Sequence, residues 1–131
     1  MLVVDASVLA PALADDGPDG DLARARLRNE TLAAPELIDL ETLSAIRRQC
    51  AAGELDGRRA ALALKDLSEL PLRRAAHLPL LARCWELREN LTSYDAAYVA
   101  LAELLEVALL TADAGLAGAP GVRCRLELLR C

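Results

Sequence analysis

The chain opens on an unbroken apolar run over residues 1–4 that stops at Asp5, the pattern of a strand buried on both faces. Asp5 thereby falls at that strand's carboxyl end. Segments 6–14 and 20–30 read as helices, parted by Asp15-Asp16-Gly17-Pro18-Asp19-Gly20, which holds too many breakers to continue either. Residues 31–34 read as a second short strand stopped by Pro35, after which residues 36–51 carry Leu37, Leu40, Leu43 and Ile46 at helical spacing. Gly53 ends this helix. A further helix over 55–69 is built around Leu62 and Leu67, Leu70-Pro71-Leu72 reads as a brief edge strand because proline cannot donate to a ladder, and a helix over 78–90 carries Trp85.

The last third is the most informative. Thr92-Ser93-Tyr94-Asp95 has the spacing of a capping box and starts a helix through 105, whose Ala96, Ala97, Val99, Ala100, Leu101, Ala102 and Leu104 leave little polar face. That helix is expected to be buried. Val107 to Leu110 form another continuous apolar strand, leading into Thr111-Ala112-Asp113, and after a Gly-rich loop residues 124–128 alternate like an outer strand. Strands alternating with helices predict an α/β sandwich with a largely parallel sheet. A chain of 131 residues without internal repeat, linker or low-complexity stretch is read as a single domain, 1–131.

Composition narrows the picture only a little. Hydrophobic residues make up 54%, but with no Phe, one Trp and two Tyr the interior must be packed from aliphatic side chains. The N-terminal Met-Leu-Val-Val-Asp has no basic leader, and no apolar run approaches the ~20 residues that cross a bilayer, so a cytoplasmic protein with no membrane segment is expected. None of the four cysteines forms a Cys-x-x-Cys pair; free thiols are expected, buried at Cys50, Cys84 and Cys124 and exposed at Cys131. The formal net charge of -5 argues against a surface that coats nucleic acid through overall charge. Local arginine groups, namely Arg24, Arg26 and Arg28, Arg47 and Arg48, and Arg73 and Arg74, could still hold a phosphate chain, although each alone reads as a solvated helix face.

The chemistry lies in the acids. Ligands of parallel α/β sheets collect outside the carboxyl ends of the strands, where Asp5 and Asp113 both stand. Asp95 lies in the first turn of the buried helix leading to the second of these strands, and Glu41 flanks the apolar stripe of its helix. Each acid alone has an ordinary explanation, as a turn former, a cap or a surface glutamate. Jointly they suggest one cluster whose repulsion a hard cation would relieve. All-oxygen donors without thiolate or imidazole suit Mg²⁺ or Mn²⁺, and the sole histidine, His77, lies in a loop-like stretch away from the set. One or two such ions can activate water and stabilise the leaving oxygen in phosphodiester cleavage.

Val3-Val4-Asp5-Ala6-Ser7, the stretch Pro35 to Leu43 with Glu41, Leu91 to Ala102 with Thr92-Ser93-Tyr94-Asp95, and Leu110-Thr111-Ala112-Asp113 resemble, in order, the successive motifs of PIN-domain ribonucleases. The likeness is to the VapC-type toxins of bacterial and archaeal toxin–antitoxin pairs and extends over essentially the whole chain. It implies a PIN-like three-layer α/β/α sandwich with Asp5, Glu41, Asp95 and Asp113 as metal-binding acids and Ser7 and Thr111 as supporting hydroxyls. It further implies Mg²⁺- or Mn²⁺-dependent endonucleolytic cleavage of RNA, a homodimer, and inhibition by a cognate VapB-type antitoxin in a hetero-oligomer that reaches operator DNA only through the antitoxin. After Asp113 the chain runs Ala114-Gly115-Leu116-Ala117-Gly118-Ala119-Pro120-Gly121, where similar proteins often carry basic residues. Substrate grip is therefore expected from Arg47, Arg48, Arg24 and Arg28.

Rival classes fit less well. An aspartyl-nucleophile phosphatase needs a second Asp where this chain has Ser7 and a lysine near the last strand, whereas the sole lysine, Lys65, lies in a mid-chain helix. A receiver domain fails on the same lysine and on the missing adjacent acidic pair. The remaining alternative is a catalytically degenerate PIN-fold binding and dimerisation module, against which all four acids are present.

Overall fold

A computed structural model describes residues 1–130; Cys131, expected to be an exposed thiol, lies outside the described residues. Five parallel strands form one sheet: β1 (Leu2–Val4), β2 (Leu32–Pro35), β3 (Leu72–Ala75), β4 (Ala108–Thr111) and β5 (Leu126–Leu128), in the spatial order β3-β2-β1-β4-β5. The chain thus moves outward from β1 to β2 and β3, then returns to the other side of β1 for β4 and β5. Where strand order reverses, the connections leave in opposite directions and a crevice opens at the strands' carboxyl ends. Here that point lies between β1 and β4. Their register, Val4 opposite Leu110, brings the chain segments after β1 and β4 out side by side.

Helices cover the sheet: α1 (Ala6–Ala14), α2 (Pro18–Leu27), α3 (Ile38–Ala51), α4 (Gly57–Glu69), α5 (Leu81–Glu86), α6 (Ser93–Leu105) and α7 (Ala114–Ala117). Helix α6 packs on β1, β2, β4 and α5, while α1 gathers α2, α3 and α4, giving the α/β/α layering. The continuous apolar strands are buried as their pattern requires, with Val3, Val4, Leu109 and Leu110 wholly inaccessible. Helix α6 is likewise buried from Ala96 to Ala102. Among the described residues no helix is long and apolar enough to cross a membrane.

Several sequence expectations shift. In α3 the buried positions are Ile38, Thr42 and Ile46, an i, i+4, i+8 stripe, whereas Leu40 is 70% and Leu43 40% exposed. Ile46 packs with Ala14, Ala60 and Ala63, so the helices flanking α3 choose its inner face, not the hydrophobicity of each residue alone. Similarly α4 buries Ala60, Ala63 and Leu67 and leaves Leu62 exposed. Helix α2 begins at Pro18, which suits the first helical position because its missing N–H would lack a helical partner there anyway. Gly20 is obligatory at this approach, since a Cβ would stand 1.8 Å from the Asp15 carbonyl oxygen.

Pro35 is the last residue of β2 and not the stop before which the strand ends, and β3 runs over 72–75 rather than 70–72. The segment expected to be one helix over 78–90 is a 3₁₀ turn, Leu78–Leu80, followed by the short α5. The Gly-rich stretch after Asp113 contains α7, whose single turn is too short to leave a periodic signal. Cys50, Cys84 and Cys124 are free, as expected, but only half-buried.

Candidate active site

Asp5 ends β1 and caps α1, accepting at Oδ1 from the Ser7 amide (3.1 Å) and the Ser7 hydroxyl (2.5 Å). The Thr111 hydroxyl, at the end of neighbouring β4, donates to Asp5 Oδ2 at 2.6 Å. Ser7 Oγ in turn accepts from the Ala112 amide at 2.8 Å, and Thr111 Oγ1 accepts from the Asp113 amide at 3.0 Å. Of these five bonds, Thr111 to Asp5 and Ala112 to Ser7 stitch the two strand ends across the switch point, and the Ser7 and Thr111 hydroxyls together hold both oxygens of the Asp5 carboxylate. Asp113 caps α7, its Oδ1 accepting from Gly115 and Leu116 N–H at 2.8 and 3.3 Å.

Asp95 comes from the first turn of α6, where the Thr92 hydroxyl accepts from its amide at 3.1 Å and so caps the helix. Glu41 projects from α3 and accepts at Oε1 from the Tyr98 phenol at 2.6 Å. All four acids, with Ser7, Ser44, Arg48 and Tyr98, line one cavity of about 350 Å³. Four separate elements therefore deliver their carboxylates to a single crevice at the carboxyl edge of the sheet.

The electrostatics are those of unbalanced charge. Burial pushes the Asp5 carboxyl above the ordinary range against the lowering effect of its hydroxyl partners, and the Asp95 charge adds to the rise. Asp95 is raised by its own burial and then by the Asp113 charge. Burial, and next the neighbouring Glu41 carboxylate, hold the Tyr98 phenol far above its usual value, so it serves as a proton-bearing donor. Among the described residues Arg48 is the single cation lining the cavity, and its Nη1 donates to Ser44 Oγ at 3.2 Å.

The donor chemistry fits a hard divalent cation: carboxylates and hydroxyls only, in a partly buried setting where like charges repel. Among the described residues no three acid, cysteine or histidine side chains form a ready-made cage. The acids line a shared cavity instead of meeting at one point. His77 stays apart, as expected: its Nε2 accepts from the Leu37 amide at the start of α3.

The other arginines are not brought to this cavity. Arg24 donates to the Ala12 and Asp15 carbonyls and to Asp21, and with Arg28 it lines a different cavity, between α1 and α2; Arg47 is exposed outside the acidic one. Helix geometry separates the pair, since Arg48 lies seven residues, two turns, beyond Glu41 on the same face and Arg47 lies one residue off it. Sequence reasoning missed Tyr98 as a site residue. Its signal was the three-residue spacing from Asp95, which puts both on one face of α6.

Residues 2–121 match the PIN domain family. The chain is 43% identical over 129 residues to ribonuclease VapC1 of Mycobacterium tuberculosis, covering 98% of this chain and 97% of that protein. The chain belongs to the PIN-domain family of VapC-type ribonucleases. Ribonuclease VapC9 of the same organism is similar too, at 41% identity over 132 residues and 98% coverage of both proteins. Among solved structures this PIN domain superposes on M. tuberculosis VapC20, described as a sarcin–ricin loop cleaving toxin, with TM-score 0.71 and 18% identity over 94% of this chain and 99% of that one. At that identity the likeness speaks for the fold alone.

Proposed function

We propose that this PIN domain is a Mg²⁺- or Mn²⁺-dependent endoribonuclease that cuts RNA phosphodiester bonds as the toxin of a VapBC-type pair. The observation that carries the reading is the convergence of Asp5, Glu41, Asp95 and Asp113 on one cavity with a single arginine at its wall. The names of its relatives, ribonucleases VapC1 and VapC9, support RNA as substrate. The degenerate binding-module alternative is not favoured, because no acid of the set is missing or turned away.

Asp5, Glu41, Asp95 and Asp113 would hold the cation, which when bound supplies Lewis-acid stabilisation of phosphoryl charge and a readily deprotonated water. Ser7 and Thr111 fix both oxygens of Asp5, so this carboxylate cannot swing away from the crevice. Arg48 is placed to pair with the phosphate chain entering the cavity. Unpaired RNA is the expected substrate, because its bases and backbone can be splayed into a crevice that a duplex cannot enter. We further propose a homodimer acting in the cytoplasm and held inactive by a VapB-type antitoxin, the complex contacting operator DNA only through the antitoxin.

The test is cleavage of a single-stranded or stem–loop RNA by the purified protein with Mg²⁺ or Mn²⁺. Chelator and Asp95→Asn should each abolish it, and undiminished cutting in either case would sink the mechanism. Arg48→Ala should weaken RNA binding and lower the salt dependence of binding by about one ion. An unchanged salt slope would remove Arg48 from the phosphate contact.

A further inference from the structure

Hydrogen bonds hold two of the four carboxylates, Asp5 by the Ser7 and Thr111 hydroxyls and Asp113 by the first amides of α7, while Asp95 is a short side chain placed by the capped backbone at the start of α6. Glu41 differs. It is a longer side chain with an extra torsion to fix, it stands in the first turn of α3, whose start has no side-chain cap, and among the described residues the Tyr98 phenol is its sole hydrogen-bond donor.

Tyr98 is suited to that task. Its ring is 1% exposed and packed in the core, so the hydroxyl is presented from a fixed position. It lies three residues beyond Asp95 on α6, and both side chains face the same cavity. One buried helix therefore sets the Asp95 carboxylate directly and the Glu41 carboxylate through a 2.6 Å hydrogen bond. That bond occupies Oε1 and leaves Oε2 for a cation.

We propose that Tyr98 is a positioning residue whose phenol hydroxyl orients Glu41 for divalent-cation binding, an inference that rests on the reading of the acidic cavity as a metal-dependent nuclease site. Outer groups that orient metal-binding side chains are worth roughly ten- to a hundredfold in metal affinity or activity. Without the hydroxyl, Glu41 samples several rotamers and must be ordered when the cation arrives.

The experiment is Mn²⁺ titration of the parent chain, Tyr98→Phe, Glu41→Gln and the double variant, followed by calorimetry without RNA and paralleled by RNA cleavage over a range of Mn²⁺. Tyr98→Phe keeps the ring, and folding is checked by circular dichroism. The expected result is about tenfold weaker Mn²⁺ binding in Tyr98→Phe, cleavage recovering as Mn²⁺ is raised, and no further loss when Tyr98→Phe is added to Glu41→Gln. A shifted melting temperature with unchanged Mn²⁺ affinity would reduce Tyr98 to a core residue and overturn the proposal. A parent chain that binds no Mn²⁺ would instead overturn the nuclease reading, and this inference with it.

Discussion

Helix α6 carries a carboxylate near each end, and the two are treated in opposite ways. At its start Asp95 faces Asp113 and Asp5, and burial and like charge raise its carboxyl above the ordinary range. Near its end Glu103 is gripped by Arg83 through bonds of 2.7 and 3.1 Å and by the Arg123 amide at 2.8 Å; burial alone would raise this carboxyl, but these partners hold it below the usual range. The Arg26 bonds likewise hold Glu127 on β5 low. The helix dipole would place acids the other way round in strength, favouring Asp95 and disfavouring Glu103. Side-chain partners thus outweigh it. What separates the carboxylate in the cavity from the clamped one here is the absence of a matched cation, not its secondary structure.

The comparison can be broken at either end. Asp95→Asn should lower RNA cleavage by at least about a hundredfold, more than loss of an outer orienting group, while in chelator the variant is at least as thermally stable as the parent in chelator. A variant that loses activity only because it unfolds would end the distinction. Arg83→Ala should cost about 2 kcal/mol in urea unfolding, because Glu103, whose side chain is only 12% exposed, is left without its charged partner; cleavage by the folded variant should persist. A variant as stable as its parent would demote the clamp to a surface pair.

Divalent cation should stabilise only the first end. At a hundredfold excess over its dissociation constant it should add about 2.7 kcal/mol to the parent chain and much less to Asp95→Asn. Equal gains in both proteins would point to binding elsewhere.

The smallest expected effect is on pH, and its sign differs between the ends. For Asp95 the folded value lies above the unfolded one, so its contribution is present below the unfolded value, about 3.9, and is lost as pH rises through the folded value. In chelator, the stability of Asp95→Asn relative to the parent should therefore grow as pH rises above about 4. For Glu103 the folded value lies below the unfolded one, so its contribution is present above about pH 4.3 and lost as pH falls through the folded value. The deficit of Arg83→Ala should shrink as pH is lowered toward 3. Parallel pH profiles for the two variants would contradict the assignment.

Much of this was legible in the order of residues. Strands β1 and β4 announce themselves as apolar runs because a parallel strand covered by helices on both faces tolerates no polar alternation. Asp5 and Asp113 follow directly, since each is the first acid after such a run. The inner face of α3 was not legible. Leu40 and Leu43 are apolar and exposed while Thr42 is polar and buried, because the neighbours supplied by α1 and α4 decide which side of the helix turns inward. Four residues of α7 carry no period to read, and its start is set by the Asp113 cap.

By itself the sequence determined the alternation of strands and helices, the identity of the four acids and the chemistry their oxygens can offer, because these depend on residue type and short-range spacing. Only the tertiary structure decided which arginine lines the cavity with the acids, Arg48 and not Arg24, and which group holds Glu41. Tyr98 and Glu41 are 57 positions apart on different helices, and Ser7 and Thr111 are 104 apart. Contacts at such separations are created by the strand order, which brings β1 and β4 side by side, and by side-chain packing that short-range pattern does not encode.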